Sequence, residues 1–145
     1  MNRRKAREIA LCLVFDFSFN SDEKPEELLN LYLEYFNEDK GSSLPEEIRN
    51  DEYICKVYYG ISEKTEQLDE IIVKNSANWK IDRVSRISLA ILRLALYEIL
   101  YMDKEKLPIE VSINEAIELA KKYDHDESFT FINGVLGGAV KEITQ

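Results

Sequence analysis

Between Asn78 and Met102 the chain reads NWKIDRVSRISLAILRLALYEILYM, and from Ile87 onward its only charged side chains are Arg93 and Glu98. Val84, Ile87, Ile91, Leu92, Leu94, Ala95 and Ile99 recur at helical spacings of three and four. A helix that is apolar nearly all round cannot keep one face in water, so other elements must wrap it. A membrane span needs roughly 20 apolar residues to cross about 30 Å. This run is shorter and carries two charges. It therefore predicts a central buried helix from Asp82 to Met102, with Asp82 as the N-cap whose carboxylate accepts a first-turn backbone N–H.

The other segments repeat the helical period, and strand-like alternation is absent, so the fold class is all-α. The first helix runs from Arg3 to Phe19, with Ala6, Ile9, Ala10, Leu13 and Phe17 on a core-facing stripe. Pro25 opens the second, with Glu26 and Glu27 at its positive end and Leu28, Leu31, Tyr32 and Tyr35 as its apolar face. A charged loop with Gly and Ser follows from Asn37 to Leu44. Pro45 opens a third helix that turns Ile54, Val57, Tyr58 and Ile61 inward. Gly60 marks a break or a close approach, with Ser62 as the next N-cap, and Leu68, Ile71 and Ile72 face the core up to about Asn75.

After the central helix, Pro108 starts a helix bearing Ile109, Ile113, Ala116, Ile117 and Ala120. Its acids precede its bases, as the helix dipole favours, and Glu118 with Lys122 forms an i,i+4 pair. The last helix places Ile132, Val135, Leu136, Ala139 and Ile143 together. Gly137 and Gly138 cost it about 1 kcal/mol each relative to alanine, so it should be loose or end early.

The net charge of −9 would repel nucleic acid if it were spread evenly. It is not. Arg3, Arg4, Lys5 and Arg7 face only Glu8 among the first eight residues, a local +3, and the remainder stands at −12. Cys12 and Cys55 lie apart on apolar stretches, which reads as free, buried thiols in a reducing compartment. His125 is the only histidine, so no metal site is expected. No cofactor is implied either. The basic start followed by Ile9 to Phe15 imitates a signal peptide, but Asp16 ends the run and no small-residue cleavage site follows. The expectation is a cytoplasmic protein with no membrane anchor.

No phosphate loop, nucleophile with a neighbouring histidine, or metal-ligand spacing occurs, so an enzyme is not expected. Binding is the better class. Arg7, Leu11, Phe15 and Ser18 share a stripe on the first helix, leading from cations to an aromatic ring. Phosphates seek the former and an unstacked base the latter. A solvated first turn with Phe15 in the core is the plainer account of that segment alone. Phe131, an aromatic at helical spacing, reads first as core. Asn114 and Asn133 read as groups that satisfy neighbouring helix ends, and Arg93 and Glu98 as residues at a polar edge or paired with neighbours.

Several stretches carry a resemblance. They are Asn78-Trp79 with Asp82-Arg83, Ala90 to Glu98 (AILRLALYE), Ile113 to Lys121 (INEAIELAK) and Phe131 to Leu136 (FINGVL), with the shorter Arg3 to Glu8 at the start. In order and spacing the chain resembles the NusB family of bacterial transcription antitermination factors over most of its second half. The resemblance implies about seven helices in two small packed bundles, 1–77 and 78–145, forming one helical domain. It implies binding to the single-stranded boxA RNA of ribosomal RNA operons as a heterodimer with NusE, a small-subunit ribosomal protein. That complex loads onto RNA polymerase and suppresses termination. Association of two copies of the free chain is left open.

Carried across, the basic N-terminus corresponds to Arg3, Arg4, Lys5 and Arg7, and the RNA-facing aromatics to Phe15 and Phe131. The chain departs from the family pattern at Leu89, Glu110, Thr130 and Gly138, where relatives carry cations. A protein-binding helical adaptor without RNA binding is therefore the alternative function. A similar fold forms the RNA-binding module of a ribosomal RNA methyltransferase, but 145 residues leave no room for its catalytic domain.

Overall fold

The computed structural model describes residues 1–37, 42–76, 83–125 and 127–144, with side chains undescribed for 35–37. Among them lie seven helices and no strand: α1 (Arg3–Ser18), α2 (Pro25–Asn37), α3 (Leu44–Asn50), α4 (Glu52–Lys74), α5 (Arg86–Tyr101), α6 (Ile109–Tyr123) and α7 (Ser128–Thr144). Two compact units divide the chain, Met1–Glu63 and Lys64–Gln145. No described helix is long and apolar enough to cross a membrane.

In the first unit α1 buries Ala6, Ile9, Ala10, Leu11, Leu13 and Val14. Leu28, Leu29 and Leu33 of α2, Ile48 of α3, and Tyr53, Ile54, Val57, Tyr58 and Ile61 of α4 complete the core. Leu31, expected on the inner face of α2, is 56% exposed. The Leu-rich helix offers two apolar stripes, and the one through Leu29 and Leu33 meets the core. The Tyr58 hydroxyl donates to the Pro25 carbonyl at 2.7 Å, and its ring packs edge-on to Phe17 with centres 6.4 Å apart.

The chain breaks elsewhere than at Gly60. Asp51 ends α3, and its carboxylate accepts the Ile54 backbone N–H at 2.9 Å. It thereby caps α4, whose first turn would otherwise leave that donor unpaired. Gly60 lies within continuous helix, and the Ser62 hydroxyl donates back to the Tyr59 carbonyl instead of capping. The irregular residue is Lys64, at φ −116° and ψ 17°.

The second unit is built around α5, as its composition demands. Ala90, Ile91, Leu92, Leu94, Ala95, Leu96, Tyr97 and Ile99 are buried, and α5 packs on both α6 and α7. Ser85 is the N-cap of this helix, its hydroxyl accepting the Ser88 backbone N–H at 3.1 Å. Asn78, Trp79 and Asp82 lie outside the described residues. Beyond its first residue, Arg86, the two charges of α5 are both engaged. Arg93 grips Asp69 of α4 bidentately, at 2.8 and 2.9 Å. Glu98, 2% exposed, accepts from the Ser112 hydroxyl of α6 at 3.0 Å.

The glycine pair does not end α7, which runs on to Thr144. A side chain at Gly137 would stand in open space, whereas one at Gly138 would collide with the Asn75 side chain. Gly138 thus permits a close approach that offsets its weak helix propensity. Asn114 and Asn133 are exposed and cap no helix end among the described residues. Both cysteines are free, but Cys12 is exposed and Cys55 half-exposed, against the expected burial.

Candidate nucleic-acid interface

The side chain of Asn2 accepts the Lys5 backbone N–H at 2.8 Å and so fixes where α1 begins. Arg3, Arg4 and Lys5 therefore occupy its first turn, which holds no acidic residue. Helix N-termini carry partial positive charge, so cations there are disfavoured by some tenths of a kcal/mol each, an arrangement an anionic ligand would relieve. All three are exposed.

Arg7, one turn on, behaves differently. It is 3% exposed. Its guanidinium carbon lies 5.7 Å from the centre of the Tyr53 ring, and that of Arg3 lies 4.5 Å from the same ring. Tyr53, in the first turn of α4, is thus the platform that orients two of the four expected cations, held by cation–π attraction. Nothing local in the sequence marks this role, because the ring comes from some fifty residues away. The burial of Arg7 takes one cation out of the stripe expected to lead from cations to an aromatic ring. Leu11, next along it, is buried as well.

Phe15 is half-buried. It meets Phe19 edge-on with ring centres 5.0 Å apart, and Phe19 is 55% exposed. The first unit therefore presents an accessible aromatic pair at the far end of α1 from its cations. Sequence spacing found Phe15 but passed over Phe19, which closes the helix as its C-cap.

Phe131 belongs to the second unit and is 5% exposed. It lines a pocket together with Arg83, Ser85, Ser88, His125 and Ser128. Beside that pocket the Asp124 carboxylate accepts from the Ser85 hydroxyl at 3.2 Å, from the Ser88 hydroxyl, and from the His125 backbone N–H at 2.8 Å. This network ties the end of α6 to the start of α5. Phe129, two residues before Phe131, is exposed instead. Among the described residues no group of histidine, cysteine or acidic side chains could hold a metal ion.

Comparison with known proteins accords with this architecture. A model of the NusB family matches residues 4–141. The transcription antitermination protein NusB of Clostridium novyi (strain NT) is 45% identical over 141 residues, covering 97% of this chain and 99% of its own. The NusB protein of Clostridium botulinum (strain Kyoto / Type A2) is also 45% identical, over 142 residues, covering 94% of this chain and 98% of its own. Among solved structures, NusB of T. maritima superposes with a TM-score of 0.75 at 34% identity, covering 98% of this chain and 92% of its own. A crystal structure of the antitermination factors NusB and NusE in complex with dsRNA matches with a TM-score of 0.74 at 26% identity, covering 97% and 96%. From the match across residues 4–141 and relatives 45% identical over nearly their full length, the chain belongs to the NusB family.

Proposed function

We infer that the chain is a non-enzymatic transcription antitermination factor of the cytoplasm. In this reading it binds the single-stranded boxA RNA of ribosomal RNA operons jointly with a NusE-like ribosomal protein, and joins RNA polymerase in that complex. The observation that carries the reading is the exposed first turn of α1, where Arg3, Arg4 and Lys5 stand at the positive helix end without a single acid. Stability alone gives no reason for that arrangement. A structure of NusB with NusE and dsRNA, made by a relative of the same fold, supports a ternary assembly of this kind.

Charge sets the mechanism. Attraction from a local +3 reaches only about 8 Å at physiological salt, and the rest of the chain at −12 repels phosphate. The isolated chain should therefore bind RNA weakly. Each phosphate contact adds a slope of about −0.7 in log affinity against log salt for single strands. A basic partner supplies further contacts and steepens that slope. Phe15 with Phe19 offers a surface on which a splayed base can stack.

The adaptor reading draws on Glu110 and Thr130, both exposed, where the family pattern has lysine. A salt series of boxA RNA titrations on the free chain, the partner complex and an Arg3→Ala/Arg4→Ala/Lys5→Ala variant separates the two. The variant complex should bind more weakly with a shallower slope. Equal affinity at every salt concentration would make the first turn a solvated helix end and leave the adaptor.

A further inference from the structure

Arg3 and Arg7 stand one helical turn apart on α1, and both guanidinium groups lie over the Tyr53 ring, 4.5 and 5.7 Å from its centre. Their surroundings differ. Arg3 is exposed, whereas Arg7 and Tyr53 are both buried. A guanidinium drawn to a ring face by its charge keeps its N–H donors, so Arg3 can still grip a phosphate. Arg7, closed to water, cannot. Asp51 and Glu52 line the cleft that Arg3 shares with Tyr53. Their carboxylates compete with phosphate for a guanidinium that is free to swing. The ring restrains that swing, so ordering that RNA would otherwise have to impose on the side chain is in place beforehand.

We propose that Tyr53 is a positioning residue for RNA binding, which holds Arg3 ready for a backbone phosphate while Arg7 serves only as the buried second cation on the same ring. The assignment rests on the RNA-binding reading above. It divides the basic N-terminus in two. Arg3, with its neighbours Arg4 and Lys5, contacts RNA, and Tyr53 with Arg7 supports that contact from beneath without touching the ligand.

The test uses the chain with its NusE-like partner and a single-stranded boxA oligonucleotide. Tyr53→Phe is the reference, because it keeps the ring and its negative face. Fluorinated phenylalanines are then placed at position 53, since each added fluorine drains that face of charge with little change of volume. RNA affinity should fall stepwise along the series, by roughly two- to tenfold in all, the cost of immobilising one long side chain. The salt slope should hold constant, because the phosphate contact itself survives. Arg3→Ala should flatten the slope by about 0.7, the share of one single-strand phosphate contact, and abolish the effect of fluorine on affinity. Denaturant midpoints should still fall along the series in that background, through Arg7. Arg7→Ala should leave the slope unchanged. If affinity ignores fluorination, or falls equally with and without Arg3→Ala, the positioning role is refuted while the RNA-binding reading stands. A slope flattened by Arg7→Ala as much as by Arg3→Ala would put Arg7 on the RNA and overturn the division. Absence of RNA binding to the parent complex would remove both readings.

Discussion

Arginine 7 shows how a single residue can belong to two accounts. In the sequence it is one of four N-terminal cations, and in the structure it is packed over Tyr53 and nearly closed to water. Arg7→Ala should cost about 1–3 kcal/mol of stability through lost packing and cation–π attraction. Arg4→Ala and Lys5→Ala should each stay within about 0.5 kcal/mol, as surface changes do. Denaturant melts of the three variants check this, and equal midpoints would contradict the burial of Arg7. Tyr58 carries a second residue-scale prediction. Burial, with smaller contributions from Tyr59 and Asp16, pushes its phenol well above the ordinary tyrosine range. A raised folded value means that the stabilisation is complete below the ordinary pKa of about 10 and is lost as pH rises past it. Alkaline titration followed by phenolate absorbance should show this tyrosine ionising only as the chain unfolds. Cys12 follows the same sign, its thiol raised by desolvation and by Glu8 and Asp16 against a lowering hydrogen bond from Tyr32. Its alkylation should lag a simple alkyl thiol at neutral pH despite its exposed position.

At the scale of the element, α7 and α5 carry the informative cases. Gly137 has no neighbour within reach of an added methyl group, so Gly137→Ala should stabilise by roughly 0.5–1 kcal/mol through helix propensity. Gly138→Ala should bring no such gain, because the methyl displaces Asn75, whose amide donates to the Ile71 carbonyl at 2.9 Å. Combining it with Asn75→Ala should recover the gain, which thermal melts of the two singles and the double would show. In α5, Leu92→Ala or Leu94→Ala should open a cavity costing about 2–5 kcal/mol, since both are buried in the wrapped helix. Leu11→Ala belongs in the same range, because Leu11 is itself buried. Losses under about 1 kcal/mol in denaturant melts would contradict the burial of these positions.

For the whole molecule, charge is the dominant fact. With 28 acidic against 19 basic side chains, self-repulsion opposes the compact state at neutral pH. Screening should relieve it, so the melting temperature of the free chain should rise with moderate salt while RNA affinity of the partner complex falls. A melting temperature that drops with salt would mean that attractive ion pairs, such as Arg93 with Asp69, outweigh the repulsion.

The sequence determined by itself those features that repeat along the chain. Helical periodicity sufficed for the helices, and the apolar run from Ile87 to Met102 required that α5 be wrapped. Clustering of Arg3, Arg4 and Lys5 was equally plain, since neighbours in sequence share a helix turn. Tertiary structure decided whatever depends on residues distant in the chain. Tyr53 draws Arg7 out of the basic edge, Asn75 explains a glycine inside α7, and Asp51 moves the break before α4 away from Gly60. The pocket that joins Phe131 with Arg83 and His125 is of the same kind. Periodicity reports which face of a helix is apolar, but not which partner covers it, and that partner decides whether a cation is a ligand-binding group or part of the core.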